Sequence, residues 1–299
     1  MTNFINRLSL LIVCALFWAC KPQLQTTTAQ HNFKGQYAPI PYTIYKLDKP
    51  VTKTLLYLPP ALDSLSVKQL PVFEKLLKAG YEIVEITAPK EGEFYLLREM
   101  NFASQRASEI ISTARYLKSS SKAQFNNLVV LGVEEGAYLA PTVAVQLKAD
   151  SVIYVNGGPF SPLLELEKLT EKDSLNPAER SFIQEYLKLD SLPQLELAIR
   201  RVKRTDPNNI ILGMQTNKYW LSFNQEPLSE VYTHLPGANF WILFEDYPLN
   251  RASNLNYLQL LNKMQGNAHN RVLSLKGDGK MQGKNLERLN QELEKVLTP

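Results

Sequence analysis

The chain holds 299 residues, 44% hydrophobic and 21% charged, an ordinary globular composition that excludes a disordered, collagen-like or coiled-coil protein. Its 33 basic and 29 acidic residues leave a net charge of +4 spread along the chain, so nucleic-acid binding has no electrostatic footprint. Cys14 and Cys20 are the two cysteines, and His31, His234 and His269 the three histidines. That inventory excludes a disulfide-stapled fold, a cysteine nucleophile or thiolate zinc site in the body, and a multi-histidine metal centre. No metal and no cofactor is expected.

The first segment reads as an address. Arg7 precedes the apolar run Leu8 to Ala19 (LSLLIVCALFWA). A membrane-spanning helix needs about 20 apolar residues, so this shorter run fits the core of a signal peptide. It ends in Phe17-Trp18-Ala19-Cys20 and resembles a bacterial lipoprotein signal, in which a small residue precedes a cysteine that is cleaved and lipidated. Phe17 and Trp18 depart from the usual Leu and small residue. The resemblance implies residues 1–20 as signal, lipidation at Cys20, and a membrane partner through a lipid anchor at the cell envelope. Lys21, in place of the Asp that retains such proteins at an inner membrane, points to the outer membrane of a two-membrane bacterium. Residues 21–35 (KPQLQTTTAQHNFKG) are polar and Thr/Gln-rich and read as a flexible tether, with His31 inert within it.

Residues 36–299 then alternate strand and helix signals. IPYTIYKL ahead of position 48 alternates like a strand, and TLLYL (54–58) is a short apolar run stopped by Pro59-Pro60. Residues 65–79 space Leu70, Val72, Phe73, Leu76 and Leu77 like a helix ended by Gly80. YEIVEIT (81–87), NLVVLG (127–132), SVIYV (151–155), FWILF (240–244) and RVLSL (271–275) read as strands. Residues 103–117 and 137–147 read as helices, and Leu286, Leu289, Leu293 and Val296 mark a last one. Short, nearly continuous apolar strands alternating with helices predict an α/β fold with a mostly parallel central sheet covered on both faces. The stretch at about 159–236 breaks this rhythm with helical patterns (SFIQEYLKL, LPQLELAIRRVK) and reads as a helical cap inserted above the sheet.

The segment 128–141 (LVVLGVEEGAYLAP) carries the chemistry. A buried strand runs into Gly132-Val133-Glu134-Glu135-Gly136 and a helix follows, the layout of a G-x-S-x-G nucleophile elbow. It resembles the G-H-S-E-G-G…A-P stretch of secreted α/β-hydrolases of the serine-esterase and S9/S33-peptidase-like type. Asn156-Gly157-Gly158-Pro159 is similar to that family's A-G-P stretch. Lys218-Tyr219-Trp220-Leu221-Ser222-Phe223-Asn224 is similar to its K-Y-W-x-S-x-N helix, and Glu245-Asp246-Tyr247 to its acid-bearing turn. The resemblance covers roughly residues 54–297 and implies an α/β-hydrolase sandwich with a helical cap.

At the site the sequence departs from that family. Glu134 stands at the nucleophile position, and Glu135 keeps the family's Glu. Asp246 takes the acid position, or Tyr247 on a one-residue shift. Lys280, in Lys276-Gly277-Asp278-Gly279-Lys280-Met281, stands where the resemblance puts the catalytic histidine. His269 lies before the last strand, at the other end of the sheet. The oxyanion loop begins Pro59-Pro60-Ala61, and proline has no N–H to donate. A carboxylate cannot become an alkoxide and a protonated lysine is a poor base. The complementary exchange of acid for Ser and base for His predicts a Glu134–Lys280 salt bridge in a vestigial pocket. The expectation is an envelope-anchored pseudoenzyme that binds a ligand or partner protein. The alternative is an active hydrolase on esters or peptides using Glu134, Asp246 and Lys280. Tyr138, beside the elbow helix, reads as packing, and the tyrosines with Trp220 as an aromatic core.

Overall fold

The computed structural model describes residues 22–32, 39–60, 65–88, 102–157, 161–213, 215–223, 235, 237–249 and 270–298. An eight-stranded sheet runs through it: β1 (Leu24–His31), β2 (Ile40–Leu47), β3 (Lys53–Leu58), β4 (Tyr81–Ile86), β5 (Leu128–Val133), β6 (Ser151–Val155), β9 (Ala238–Phe244) and β10 (Arg271–Leu275). The order across the sheet is β1-β2-β4-β3-β5-β6-β9-β10. From β4 to β10 every pairing is parallel, and β1 and β2 add an antiparallel edge.

The near-continuous apolar runs are explained by burial on both faces. Leu56, Val84, Val130, Val152 and Trp241 face one core, and Leu55, Ile83, Val129, Ile153 and Ile242 face the other. The first core is closed by α2 (Phe102–Ser119) and α3 (Glu135–Leu147); the second by α1 (Phe73–Lys78) and α8 (Gly283–Leu297). Between β6 and β9 the described residues form α4 (Pro162–Thr170), α5 (Pro177–Ser181), a π-helical turn (Phe182–Tyr186), α6 (Leu192–Val202), a hairpin of β7 (Ile210–Leu212) and β8 (Gln215–Thr216), and α7 (Asn217–Ser222). This is the layout of an α/β-hydrolase fold.

The two glutamates of YEIVEIT are buried and fully used. Glu82 accepts hydrogen bonds from Thr54 Oγ1 (2.8 Å), Gln124 N (2.5 Å) and Phe125 N (3.1 Å), tying β4 to β3 and to the loop before β5. Glu85, on the opposite face, accepts from Tyr45 Oη, Ser66 Oγ and Val67 N, each at 3.0 Å.

Two expectations from the sequence change. The segment read as a tether is strand β1 for most of its length, paired over its full eight residues with β2. Hydrophobic pattern could not reveal it, because its side chains are almost all exposed and the backbone ladder holds it. The helix expected over 65–79 splits into a 3₁₀ turn (Val67–Gln69) and α1. Pro71 disfavours helical backbone at the residue before it, and Leu70 is extended at φ −74°, ψ 119°.

Replacing Glu82 with Ala strands two buried donors, Thr54 Oγ1 and Phe125 N, and the part-buried Gln124 N. Glu82→Ala is therefore expected to cost about 2–4 kcal/mol in urea unfolding. A loss below about 0.5 kcal/mol would show that the carboxylate does not hold these strands together.

Candidate active site

The elbow sits where β5 meets α3, at the carboxyl ends of the parallel strands. Val133 ends β5, Glu134 turns the chain, and Glu135 begins α3. Glu134 has φ 52° and ψ −114°, a strained backbone for a residue with a side chain. Close packing enforces it. A Cβ on Gly132 would lie 2.4 Å from the Gly136 carbonyl oxygen, and one on Gly136 would lie 2.0 Å from that of Leu58. Glu134 N donates to Val155 O (2.8 Å) and its carbonyl accepts from Ala137 N (2.9 Å), fixing the apex between β6 and α3.

Beside the elbow, Asn156 joins the end of β6 to the end of β9 and to the loop after β10. This fully buried residue also has positive φ, at 53°. Its Nδ2 donates to Gly279 O (3.1 Å), and its Oδ1 accepts from Phe244 N (3.3 Å). A Cβ at Gly157 would meet Ala137 Cβ at 2.2 Å, and one at Gly279 would meet Tyr247 Cδ2 at 2.7 Å. Gly157 and Gly279 therefore permit contact between these loops.

Glu135 is anchored from the cap. Tyr219 Oη, on α7, donates to Glu135 Oε1 at 2.5 Å. This bond joins two segments the sequence singles out separately, the elbow and the K-Y-W helix. Tyr219 also packs against Phe102, Trp220 and Phe223, and Phe223 against Tyr138. The aromatic-core reading of Tyr138 and Trp220 agrees with this, and both also line the cavity above.

That cavity has a volume of about 910 Å³, the size of a small-molecule site. Its lining brings together Glu134, Glu135, Pro60, Tyr247, Asp278 and Lys280, with Tyr138, Tyr186 and Tyr219 as aromatic wall. Of the two candidates for the acid position, Tyr247 lines the cavity; Asp246 is exposed and outside the lining. Ala61, Cys20 and His269 lie outside the described residues.

The expected salt bridge is not formed. Glu134 and Lys280 line one cavity, but among the ion pairs of the described residues none joins them. Lys280 is exposed, and its backbone is what the loop holds: Lys280 N donates to Asp278 Oδ1 (3.2 Å), and its carbonyl accepts from Asn285 Nδ2 (3.2 Å).

The carboxylates shape the acidity of the surrounding phenols. Burial pushes Tyr247 well above the usual phenol range, and the charge of Glu134 adds to it. Burial and then Glu135 do the same to Tyr219; burial, Glu85 and Glu134 do it to Tyr57. Tyr219 and Asn156 are site residues that sequence reasoning did not assign, whereas Tyr247 was the alternative to Asp246 at the acid position. The sequence signal for Tyr219 was its place in the K-Y-W segment; for Asn156 it was the glycines that follow.

No family model matches the chain, and no curated protein does. Solved structures do. A dienelactone hydrolase from Anabaena variabilis is 13% identical, with a TM-score of 0.55 over 91% of this chain and 96% of that one. A thermostable carboxyl esterase from Bacillus coagulans is 11% identical, with a TM-score of 0.57 over 91% and 99%. A peroxisomal α/β-hydrolase from Saccharomyces cerevisiae is 12% identical, with a TM-score of 0.55 over 93% and 90%. At this identity the likeness establishes the α/β-hydrolase fold.

Raised phenol pKa values make stability fall in alkali. Below pH 10 folded and unfolded chains both hold these protons; above it the unfolded chain releases them first. Stability from Tyr57, Tyr219 and Tyr247, with Tyr81 pushed up to about 12, is therefore full below pH 10. It is lost as pH rises through the folded values. A phenolate absorbance titration should show these tyrosines ionising late, together with unfolding. Ionisation of all 14 near pH 10 in a still-folded chain would contradict the site described.

Proposed function

Starting from an α/β-hydrolase fold with a carboxylate at its elbow, we propose that this chain is catalytically silent. It uses the hydrolase cavity to bind a ligand or partner protein at the cell envelope. One observation carries the reading: Glu134 occupies the strained apex, at φ 52°, facing a cavity of about 910 Å³. The frame that presents a nucleophile is kept, and the side chain it presents cannot act as an alkoxide. Attack by a carboxylate would leave an ester that needs a base to activate water. The cation at the base position, Lys280, is exposed and makes no ion pair with Glu134. Loss of nucleophile and base together removes about 10⁶ in rate in a comparable triad.

The oxyanion loop supports the same reading. Pro59 and Pro60 follow β3 directly and have no N–H to offer a developing oxyanion. The hydrolase reading would need Glu134, Asp246 and Lys280 to converge. The exposure of Asp246 and Lys280 weighs against it.

A lipid on Cys20 supplies the anchor in this proposal. Lys21, Pro22 and Gln23 alone separate Cys20 from β1, so these three residues would let the sheet edge stand off from the anchor by at most about 10 Å.

With a chromogenic ester series of short to medium acyl chains, the full chain and Glu134→Ala are both expected to hydrolyse at the buffer rate. Activity that disappears in Glu134→Ala would make Glu134 a working catalytic residue and end the silent reading. Cys20→Ser is expected to move the chain from the detergent-rich to the aqueous phase of a Triton X-114 partition. Unchanged partition would remove the lipid anchor from the account.

A further inference from the structure

β1 ends the sheet, and among the described residues no strand lies on its outer side. Its bonding parity can be read from one contact. Asp48 N donates to Gln23 O (3.0 Å), and the register that pairs Leu24 with Leu47 places these two residues opposite each other. In an antiparallel ladder, hydrogen-bonded and non-bonded pairs alternate. Gln25, Thr27, Ala29 and His31 therefore turn their backbone groups inward, to β2. Leu24, Thr26, Thr28 and Gln30 turn theirs outward.

Two independent features agree. Thr28 Oγ1 and Thr43 Oγ1 touch at 3.2 Å, as the closer side chains of a non-bonded pair do. Pro41, opposite Gln30, has no N–H and owes β1 none; its carbonyl instead accepts from Thr87 N at 3.2 Å.

This edge lacks the usual protections. LQTTTAQH contains no proline and no Lys, Arg, Asp or Glu, and its three consecutive threonines favour extended backbone. Most of its side chains are exposed; only Ala29, at the border of the core, and His31, stacked on Tyr116 at 4.2 Å, add packing to what its ladder with β2 supplies. The far edge differs: β10 is five residues long and opens with Arg271.

We propose that β1 joins two copies of this chain, edge to edge and antiparallel, about a two-fold axis through Thr27. In this register Leu24 faces Gln30 of the second copy and Thr26 faces Thr28. Every outward N–H then meets an outward C=O. A shift of two residues in either direction leaves some of these groups outside the ladder. The strand carries no charge, so the copies bring none into register against each other. A second copy fits this edge because the strand is its own complement under the two-fold. Anchoring at one membrane would raise the effective concentration of such partners. The pairing itself does not depend on the anchor or on the silent-site reading.

The test uses the full chain in detergent. The two-fold sets Thr27 opposite itself as a non-bonded pair, with Cα atoms about 4.5 Å apart, within disulfide range. Under mild oxidation Thr27→Cys is expected to run mostly as a covalent dimer on a non-reducing gel. Gln25→Cys, which faces Ala29 of the other copy, should give at least tenfold less, and the wild type sets the background from Cys14 and Cys20. In the unaltered chain, the amides of Thr26, Thr28 and Gln30 should exchange at least tenfold more slowly than in exposed backbone. A monomeric Thr27→Cys, equal cross-linking at 25 and 27, or fast exchange at all three amides would overturn the proposal. So would cross-linking of Thr27→Cys to a different envelope protein.

Discussion

The turn between β5 and α3 closes because two glycines let backbone touch backbone, and much of the site follows from that closure. Gly136 packs against the Leu58 carbonyl and Gly132 against Gly136 itself, with no room for a Cβ at either position. The residue between them is driven into a left-handed backbone and lifted over the strand ends. Neighbouring loops are fitted around this apex by Asn156, which bonds both Phe244 N and Gly279 O. Such strain costs of the order of 1–3 kcal/mol and persists only where surroundings over-determine it. Here the over-determination is steric, and it is indifferent to the side chain at the apex. Glutamate can therefore occupy this apex.

On the silent reading proposed above, a frame and its chemistry separate. The elbow, the loop glycines and the Glu135–Tyr219 bond are matters of packing and hydrogen bonding, and they are intact. Catalysis would need a hydroxyl, a base and an oxyanion cradle in one place. The cavity presents the Glu134 and Glu135 carboxylates, the Tyr219 and Tyr247 phenols kept protonated by burial and then by those carboxylates, an exposed Lys280, and the Ser181 hydroxyl, which donates to Glu185 at 2.9 Å. Fold alone does not assign function, and here the residues at the apex carry the distinction.

How much of this was legible in the sequence depended on what stabilises each part. Strands buried on both faces, such as YEIVEI and LVVLGV, announce themselves because solvent exclusion forces apolar runs. The elbow was legible because steric closure demands glycine at fixed spacing. β1 was not, since a strand held by its backbone ladder leaves no hydrophobic pattern, and LQTTTAQH reads as tether. The hairpin of β7 and β8 is too short to show a period. Charge complementarity between Glu134 and Lys280 suggested a bond, but sign alone says nothing about reach or hydration. The choice between Asp246 and Tyr247 turned on one residue of loop register, which no composition argument resolves.

The measurement that bears most directly on the central claim is labelling of the folded full chain with a serine-directed fluorophosphonate probe, with modified residues mapped by mass spectrometry. A site with a hydrolase frame and no activated hydroxyl should show no labelling above that of the heat-unfolded chain. Strong labelling of a single serine in the folded chain would mean that an activated nucleophile exists, and that the site is an enzyme's.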